Sequence, residues 1–181
     1  MALFRKVTGE PLAVTMAGVK LGLRLLALGT HDTALVAQLA AKTGLTGRAC
    51  VVDDDDARLA AAAAAIEKEG ALVETARAPY GMLPFDDASF DIAVIPAVLP
   101  VLAADTRARC AAEILRVLRP GGRALAIEAG PKRGLSALLS RQTPDPAYAG
   151  PIATLKAAGF TAVRQLAEAD GMLYVEGIKH G

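Results

Sequence analysis

The sequence contains no tryptophan, and its aromatic residues amount to only 4% of the chain. A surface that holds nucleic-acid bases by stacking them on aromatic rings is therefore not expected. The formal net charge of +1 provides no overall attraction to nucleic acid or to an anionic membrane. We therefore expect a small-molecule substrate and no nucleic-acid partner.

Cysteine is equally scarce, with Cys50 and Cys110 lying far apart in the sequence. Their spacing fits neither a metal-ligand pair nor a secreted disulfide framework, so we expect two buried, reduced thiols and no metal. The apolar stretch near the N-terminus is interrupted by Lys20 and Arg24, whereas a membrane span needs about 20 apolar residues. These features predict a cytoplasmic domain without a signal peptide or stable membrane insertion.

Hydrophobic residues make up 53% of the 181 residues, and many of them are alanines, including the unbroken run 60–65. This length is enough for one domain with its own core. Residues 1–20 are predicted to form an N-terminal helical segment, and residues 21–181 a single domain.

Strand-like apolar runs alternate with helical patterns along most of the chain. Strands are predicted at 21–28, 49–52, 71–76, 90–95 and 123–128. Helices are predicted at 33–42, 57–69, 105–118 and 152–158. This alternation predicts a doubly wound, Rossmann-like α/β fold with a mainly parallel sheet and helices on both faces.

The C-terminal part departs from this alternation. Residues 160–167 and 172–178 predict two further strands, joined by a turn at Asp170 and Gly171. An Asp-Gly pair tolerates the positive φ angles of a tight hairpin turn. The complete prediction is a seven-stranded sheet that ends in an antiparallel hairpin.

Two segments carry a family resemblance, namely LPFDDASFD at 83–91 and EILRVLRPGG at 113–122. They resemble the segments that precede the fourth and fifth strands of class I S-adenosylmethionine-dependent methyltransferases. The likeness is to the small-molecule group that includes the ubiquinone and menaquinone C-methyltransferases, and it covers residues 21–179. It implies S-adenosylmethionine as cofactor and a small or lipophilic methyl acceptor. Phe85 and Phe90 are expected in the core, and the Pro-Gly-Gly of the second segment as a turn.

The resemblance places the start of the cofactor site after the first strand. The family has an acid followed by three alternating glycines there, whereas this chain reads ALGTHDT at 27–33 and retains only Gly29. Thr30 is a candidate donor to the cofactor's carboxylate at the following helix N-terminus. His31 replaces the middle glycine, and it is either a ligand-contacting or proton-handling residue or an exposed loop residue.

Further site residues are implied at the ends of the next three strands, where open parallel sheets bind ligands. They are Asp53, Asp54, Pro79, Tyr80 and Ile95. Asp53 occupies the position of the acid that binds the ribose hydroxyls. Asp55 is then the N-cap of the following helix. The alternative is that all four aspartates at 53–56 form a solvated acidic helix start. Pro79 replaces the adenine-binding acid, and Tyr80 is a candidate to stack instead.

No residue is identified as catalytic, because methyl transfer to a nucleophilic acceptor depends mainly on positioning. Candidates for proton abstraction are His31, His180, Tyr80, Tyr148 and Glu128.

Residues 129–150, which hold Leu135, Leu138 and Leu139, are predicted to form a substrate lid.

Three functions remain open at this stage. The first is a small methyltransferase that acts on a small or lipophilic acceptor. The absence of a large cap domain then implies a small acceptor, a bulky acceptor in an open cleft, or a site completed by the second subunit of a homodimer. The second is a methyltransferase-like domain that has lost cofactor binding and acts as a binding or scaffold subunit. The third, a dinucleotide-binding reductase, is least favoured, because the chain lacks G-x-G-x-x-G after the first strand and a Tyr-x-x-x-Lys pair.

Overall fold

The computed structural model describes residues 10–130 and 148–181 of the chain. The strands are β1 (Arg24–Leu28), β2 (Arg48–Asp53), β3 (Glu74–Arg77), β4 (Phe90–Pro96), β5 (Leu118–Ala129), β6 (Thr161–Ala169) and β7 (Met172–Ile178). The α-helices are α1 (Leu12–Ala17), α2 (Thr33–Thr43), α3 (Asp56–Lys68), α4 (Ala104–Val117) and α5 (Pro151–Ala157). A short 3₁₀ helix, Leu99–Val101, lies between β4 and α4.

The strands form one sheet in the order β3-β2-β1-β4-β5-β7-β6. Strands β1 to β5 pair in parallel, and β7 runs antiparallel between β5 and β6. The predicted fold class is confirmed. The strand order reverses at β1, which pairs with β2 on one side and β4 on the other. The carboxyl ends of β1, β2, β4 and β5 therefore meet at the edge where such sheets bind ligands.

Alternate strand residues face two separate cores, one on each side of the sheet. On one side, Leu26 packs in a cluster with Ile114 of α4 and Leu155 of α5. On the other, Leu25 packs in a cluster with Leu39 of α2. Burial of each such side chain stabilises the fold by about 1.5–3 kcal/mol. Because alternate side chains of each strand point to opposite faces, and both sets are apolar, helices pack on both faces of the sheet.

The two family-like segments bind to each other. The backbone N–H of Leu83 donates to Glu113 Oε2 at 2.8 Å. The Arg116 guanidinium donates to the carbonyls of Phe85 at 2.8 Å and Leu83 at 3.1 Å. Phe85 meets the buried Phe90 ring edge to face, with centroids 4.9 Å apart. These segments therefore attach the loop before β4 to α4. The predicted core position is confirmed for Phe90, whereas Phe85 is partly buried and packs against the core.

Three strand starts differ from the sequence-based prediction by three or more residues: those of β1, of β5 and of β3, which begins at Glu74 rather than at residue 71. Strand β1 begins at Arg24, and Leu21, predicted to lie in it, is 73% exposed. The Pro-Gly-Gly sequence lies within β5, which starts directly after α4. Strand β5 is extended through this sequence by two backbone hydrogen bonds. The Gly121 N–H donates to the Lys179 carbonyl, and the Lys179 N–H donates to the Gly122 carbonyl.

The C-terminal hairpin forms at the predicted turn. Asp170 and Gly171 both have positive φ angles, 52° and 74°. This left-handed conformation suits a tight turn between twisted antiparallel strands.

At the other end of the chain, Arg123 of β5 donates to the carbonyls of Met16 and Ala17 and so holds the end of α1 against the sheet. The first nine residues, and residues 131–147 of the predicted lid with its three leucines, lie outside the described part of the chain. Within the described ranges, no helix combines the length and the hydropathy that a membrane span requires.

Candidate functional site

Asp53 ends β2, and its carboxylate is completely buried. Oδ2 accepts hydrogen bonds from the backbone N–H of Thr30 at 3.0 Å and from its hydroxyl at 2.7 Å. Oδ1 accepts from the backbone N–H of Asp55 at 3.1 Å, and from Nε and Nη2 of Arg58 at 3.0 and 2.6 Å. Both carboxylate oxygens are therefore engaged by the protein itself.

The charge of Asp53 is maintained by these contacts. Burial by itself would raise the pKa of Asp53, but the hydrogen bonds from Arg58, Thr30 and the Asp55 backbone hold it well below its ordinary value. The pKa of Arg58 is raised in turn, chiefly by its hydrogen bond to Asp53. The site therefore holds an ionised carboxylate against a guanidinium.

The aspartate run at 53–56 divides into separate roles. Asp55 is the N-cap of α3, because its side chain accepts from the Arg58 backbone N–H at 2.9 Å, as predicted. Asp54 is exposed and accepts from Arg58 Nη2 at 2.6 Å. The sequence-based interpretation did not identify Arg58, although its i,i+4 spacing from Asp54 is a recognisable ion-pair signal.

The loop after β1 is closely packed at Gly29. This residue has a φ of +82°, and a Cβ added to it would lie 2.6 Å from Val98 Cγ2. Only glycine fits there, because both the conformation and the contact exclude a side chain. Val98 thus brings the segment after β4 against the backbone of the first loop, a contact that the sequence did not predict.

Tyr80 lies between these groups. Its side chain is 6% exposed, and its hydroxyl has no hydrogen-bond partner within the described ranges. A Cβ on Gly29 would be 3.6 Å from this hydroxyl, which places the hydroxyl at the first loop. Burial and the nearby charge of Asp53 raise the pKa of Tyr80, so the phenol remains protonated. A buried hydroxyl without a partner is costly in a folded protein and indicates a place for a ligand or ordered water.

Not all of the predicted site residues join this group. His31 and Pro79 are exposed, and Thr30 donates to Asp53 rather than facing open space. Ile95 is fully buried in the core on the side of α4 and α5. The structure therefore brings together Gly29, Thr30, Asp53 and Tyr80.

A second polar cluster lies at the end of β5. Glu128 is 3% exposed, and Oε1 accepts a hydrogen bond of 2.6 Å from the hydroxyl of Tyr148. The Arg107 guanidinium lies 4.6 Å from the centre of the Tyr148 ring and donates to the carbonyl of Leu102. Burial raises the pKa of Glu128 to about 7, although Tyr148 and Arg107 act in the opposite direction. This carboxyl can exchange a proton near neutral pH.

Tyr148 also borders a groove between α4 and α5 with a volume of about 400 Å³. Its lining is mostly alanine, with Arg107, Tyr148 and Thr154 as the larger or polar contributors. Strand pairing brings the neighbouring β5 residue, Ile127, opposite Pro96 at the end of β4. Glu128 is therefore about one strand spacing, ~5 Å, from the segment that contacts Gly29.

Comparison with known families gives a match to the methyltransferase domain over residues 26–126 of the 181. Over 117 residues the chain is 31% identical to the ubiquinone/menaquinone biosynthesis C-methyltransferase UbiE of Idiomarina loihiensis. That alignment covers 64% of this chain and 46% of the relative. The chain thus spans about half the length of the curated relative that it matches.

Solved structures share the architecture at lower identity. A SAM-dependent methyltransferase from Aquifex aeolicus superposes with a TM-score of 0.76 at 18% identity, covering 93% of this chain and 88% of that one. The [4+2]-cyclase SpnF superposes with a TM-score of 0.67, also at 18% identity, covering 93% and 78%. At such identities the likeness concerns the fold alone, and a fold shared with a cyclase does not specify the reaction.

Proposed function

We propose that this chain, which belongs to the methyltransferase domain family, is an S-adenosylmethionine-dependent methyltransferase acting on a small or lipophilic acceptor. The observation that carries the proposal is that the buried, ionised carboxylate of Asp53 lies near the buried hydroxyl of Tyr80, which has no hydrogen-bond partner among residues 10–130 and 148–181. Both lie at the edge where the strand order reverses, which is where open α/β sheets bind nucleotides.

The residues present fit the nucleoside end of the cofactor chemically. A carboxylate accepts hydrogen bonds from vicinal ribose hydroxyls, and a phenol can both donate and accept. Asp53 and Tyr80 would bind the ribose hydroxyls, and the loop at Gly29 would lie beside the bound cofactor. Bound there, the cofactor supplies an electrophilic methyl group on a sulfonium. The protein's own task is then to hold the acceptor in line with that group and to exclude water.

The acceptor side of the site is assigned to the ends of β4 and β5. Val98 and Leu99 are buried and form an apolar wall, which excludes water and favours an apolar acceptor. The alanine-lined groove beside Tyr148 has a volume of about 400 Å³, within the range of small-molecule sites. Glu128 is the candidate group to receive a proton that the acceptor releases, since its raised pKa suits transfer near neutral pH.

Calorimetric titration with S-adenosylmethionine and S-adenosylhomocysteine tests the cofactor assignment. We expect binding by the wild type, and at least about tenfold weaker binding by Asp53→Ala, which removes an acceptor of charge-assisted hydrogen bonds. Asp56→Ala is the matched control, because Asp56 starts the same helix but pairs with the exposed Arg77. Absence of binding by the wild type at millimolar ligand would refute the proposal.

The acceptor class is tested by transfer of a labelled methyl group from the cofactor to candidate acceptors. The name of the Idiomarina relative supports beginning with short-chain quinols, with polar amines for comparison. Labelling of the quinols alone would support a lipophilic acceptor, and labelling of the amines alone would contradict it.

One observation favours a second candidate, a methyltransferase-like domain that has lost cofactor binding and serves as a binding subunit. Arg58 and Thr30 already occupy both oxygens of Asp53, and Val98 fills the space beside Gly29. Under this hypothesis neither cofactor form binds the wild type or any variant of these residues.

A further inference from the structure

We propose that Arg58 is a displaceable latch on the cofactor site: its guanidinium occupies Asp53 until the ribose replaces it. The inference rests on the proposed function and extends it, because it identifies a residue of this chain that sets the affinity for the cofactor. Arg58 lies in the first turn of α3, five positions after the carboxylate that it covers.

The competition follows from the hydrogen-bond arrangement. Arg58 places Nε and Nη2 on the same oxygen, Oδ1 of Asp53, at 3.0 and 2.6 Å. Oδ2 is taken by the backbone and hydroxyl of Thr30. A carboxylate offers about four lone-pair positions, and five donors already surround this one. Ribose hydroxyls can therefore reach Asp53 only where a donor leaves.

Arg58 is the donor best able to leave. Its side chain is 37% exposed, whereas Thr30 is 3% exposed and its N–H belongs to the backbone of the loop. Arg58 also has a second position within reach. Nη2 already donates to the exposed Asp54 at 2.6 Å, and Nη1 lies 3.8 Å from Asp55. On leaving Asp53 the guanidinium keeps carboxylate partners in water, which lowers the cost of the movement.

An independent observation indicates a place for a ligand beside Asp53. Burial and the charge of Asp53 raise the pKa of the neighbouring Tyr80. The Tyr80 hydroxyl is buried beside the loop at Gly29 and has no partner in the described part of the chain. Arg58 donates to Asp53, but the Tyr80 hydroxyl gains no hydrogen-bond partner from it. A ribose that displaced Arg58 would supply partners to both groups.

Isothermal titration calorimetry with S-adenosylhomocysteine tests the latch directly and needs no acceptor. Arg58→Ala removes the guanidinium but keeps the backbone N–H that Asp55 caps, and Asp53 retains the Thr30 and Asp55 donors. Arg58→Lys retains the charge without the two-point contact. Arg77→Ala is the matched control, because Arg77 forms an exposed ion pair with Asp56 in the same region.

We expect Arg58→Ala to bind S-adenosylhomocysteine on the order of tenfold more tightly than the wild type, from the loss of a charge-assisted contact that binding must otherwise break. Arg58→Lys should be intermediate and Arg77→Ala unchanged. In ¹⁵N NMR spectra of the wild type, the Nε–H signal of Arg58 should shift and lose protection from solvent exchange on saturation with S-adenosylhomocysteine.

The outcomes separate the latch from the proposed function. Binding by the wild type with equal or weaker binding by a folded Arg58→Ala would overturn the latch and leave the proposed function intact. Binding by Arg58→Ala alone would overturn both the proposed function of the wild type and the displaceable latch, because Arg58 would then never leave Asp53. Failure of all variants to bind would overturn both proposals, because removal of Arg58 is required to open the site. Circular dichroism confirms that each variant is folded.

Discussion

The hydroxyl of Tyr148 donates a hydrogen bond of 2.6 Å to Oε1 of Glu128, and the glutamate side chain is 3% exposed at the end of β5. The Tyr148 ring in turn lies beneath the Arg107 guanidinium. Together these residues form a buried acid with one strong donor and a nearby positive charge. Burial nevertheless dominates, and the pKa of Glu128 is raised to about 7.

The first prediction concerns the pH dependence of stability. The pKa of Glu128 rises from an ordinary 4.5 to about 7 on folding, so the folded state binds this proton more tightly than the unfolded state does. The stabilisation is fully present below pH 4.5 and is lost as pH rises through about 7. Glu128→Gln, which keeps an oxygen acceptor for Tyr148, should therefore unfold with a free energy up to about 3 kcal/mol higher at pH 8 and little changed at pH 4.5.

Urea unfolding of wild type and variant across this pH range measures the difference. Glu168→Gln is the control, because Glu168 is exposed on β6 and its replacement should change stability by under about 0.5 kcal/mol. A Glu128→Gln effect that does not vary with pH would contradict the assigned direction of the pKa shift.

The second prediction concerns the close contact of Gly29 with Val98. Gly29→Ala adds a methyl 2.6 Å from Val98 Cγ2 at a φ of +82°, so it should lower the free energy of unfolding by about 2–4 kcal/mol. Gly70→Ala is the matched control: its φ is +73°, but no atom of the described residues lies within 4 Å of the added methyl. It should cost only the conformational strain, about 1 kcal/mol.

A double mutant cycle separates the two contributions at Gly29. Val98→Ala in the Gly29→Ala background should restore about 1 kcal/mol relative to additivity, because it removes the clash and leaves the strain. Strict additivity would show that the loop does not pack against Val98.

The third prediction concerns the charge of Asp53. Asp53→Asn leaves the partly exposed Arg58 guanidinium and the buried Thr30 donors facing a neutral amide, and it should lower the free energy of unfolding at pH 7 by about 1–3 kcal/mol. The carboxylate stabilises the fold above its ordinary pKa of 3.8, and this stabilisation is lost as pH falls through the lowered value. The difference between variant and wild type should therefore shrink as pH falls below 3.8. Chemical denaturation of the variant and the wild type at pH 7 and below pH 3.8 measures this difference in the free energy of unfolding.

The fourth prediction concerns the two thiols. Cys50 and Cys110 are both buried, which raises the pKa of each to about 12. Native protein should therefore not react with a disulfide reagent such as Ellman's reagent at pH 8, since the thiolate is the nucleophile. In denaturant, both cysteines of the sequence should react. Rapid stoichiometric labelling of the native protein would contradict the burial of these side chains.

Much of the architecture could be predicted from local patterns. The run that became β4, the Asp-Gly turn of the hairpin and the Asp55 cap depend on short-range periodicity and on turn or capping chemistry, which the sequence displays directly. The extension of β5 through Pro-Gly-Gly could not be predicted in this way. It depends on hydrogen bonds with Lys179, more than fifty residues away.

The candidate site was only partly accessible to sequence reasoning. Asp53 and Tyr80 could be predicted because they follow the second and third predicted strands. Parallel strands bring their carboxyl ends to the same edge of the sheet, where ligands bind. His31 was equally prominent in the sequence, yet its side chain is exposed to solvent. The contact of Val98 with Gly29 could not be predicted, because an apolar residue within an apolar segment gives no indication of which loop it packs against.

The sequence by itself determined the order of strands and helices, the hairpin and the family segments, because these depend on spacing within short windows. Only the tertiary structure decided what Asp53 contacts. Its partners come from the loop after β1 and from the first turn of α3, and their convergence depends on sheet register and helix packing. The family resemblance implied an acid in the position of a ribose ligand, whereas three-dimensional packing showed that Arg58 already donates to it.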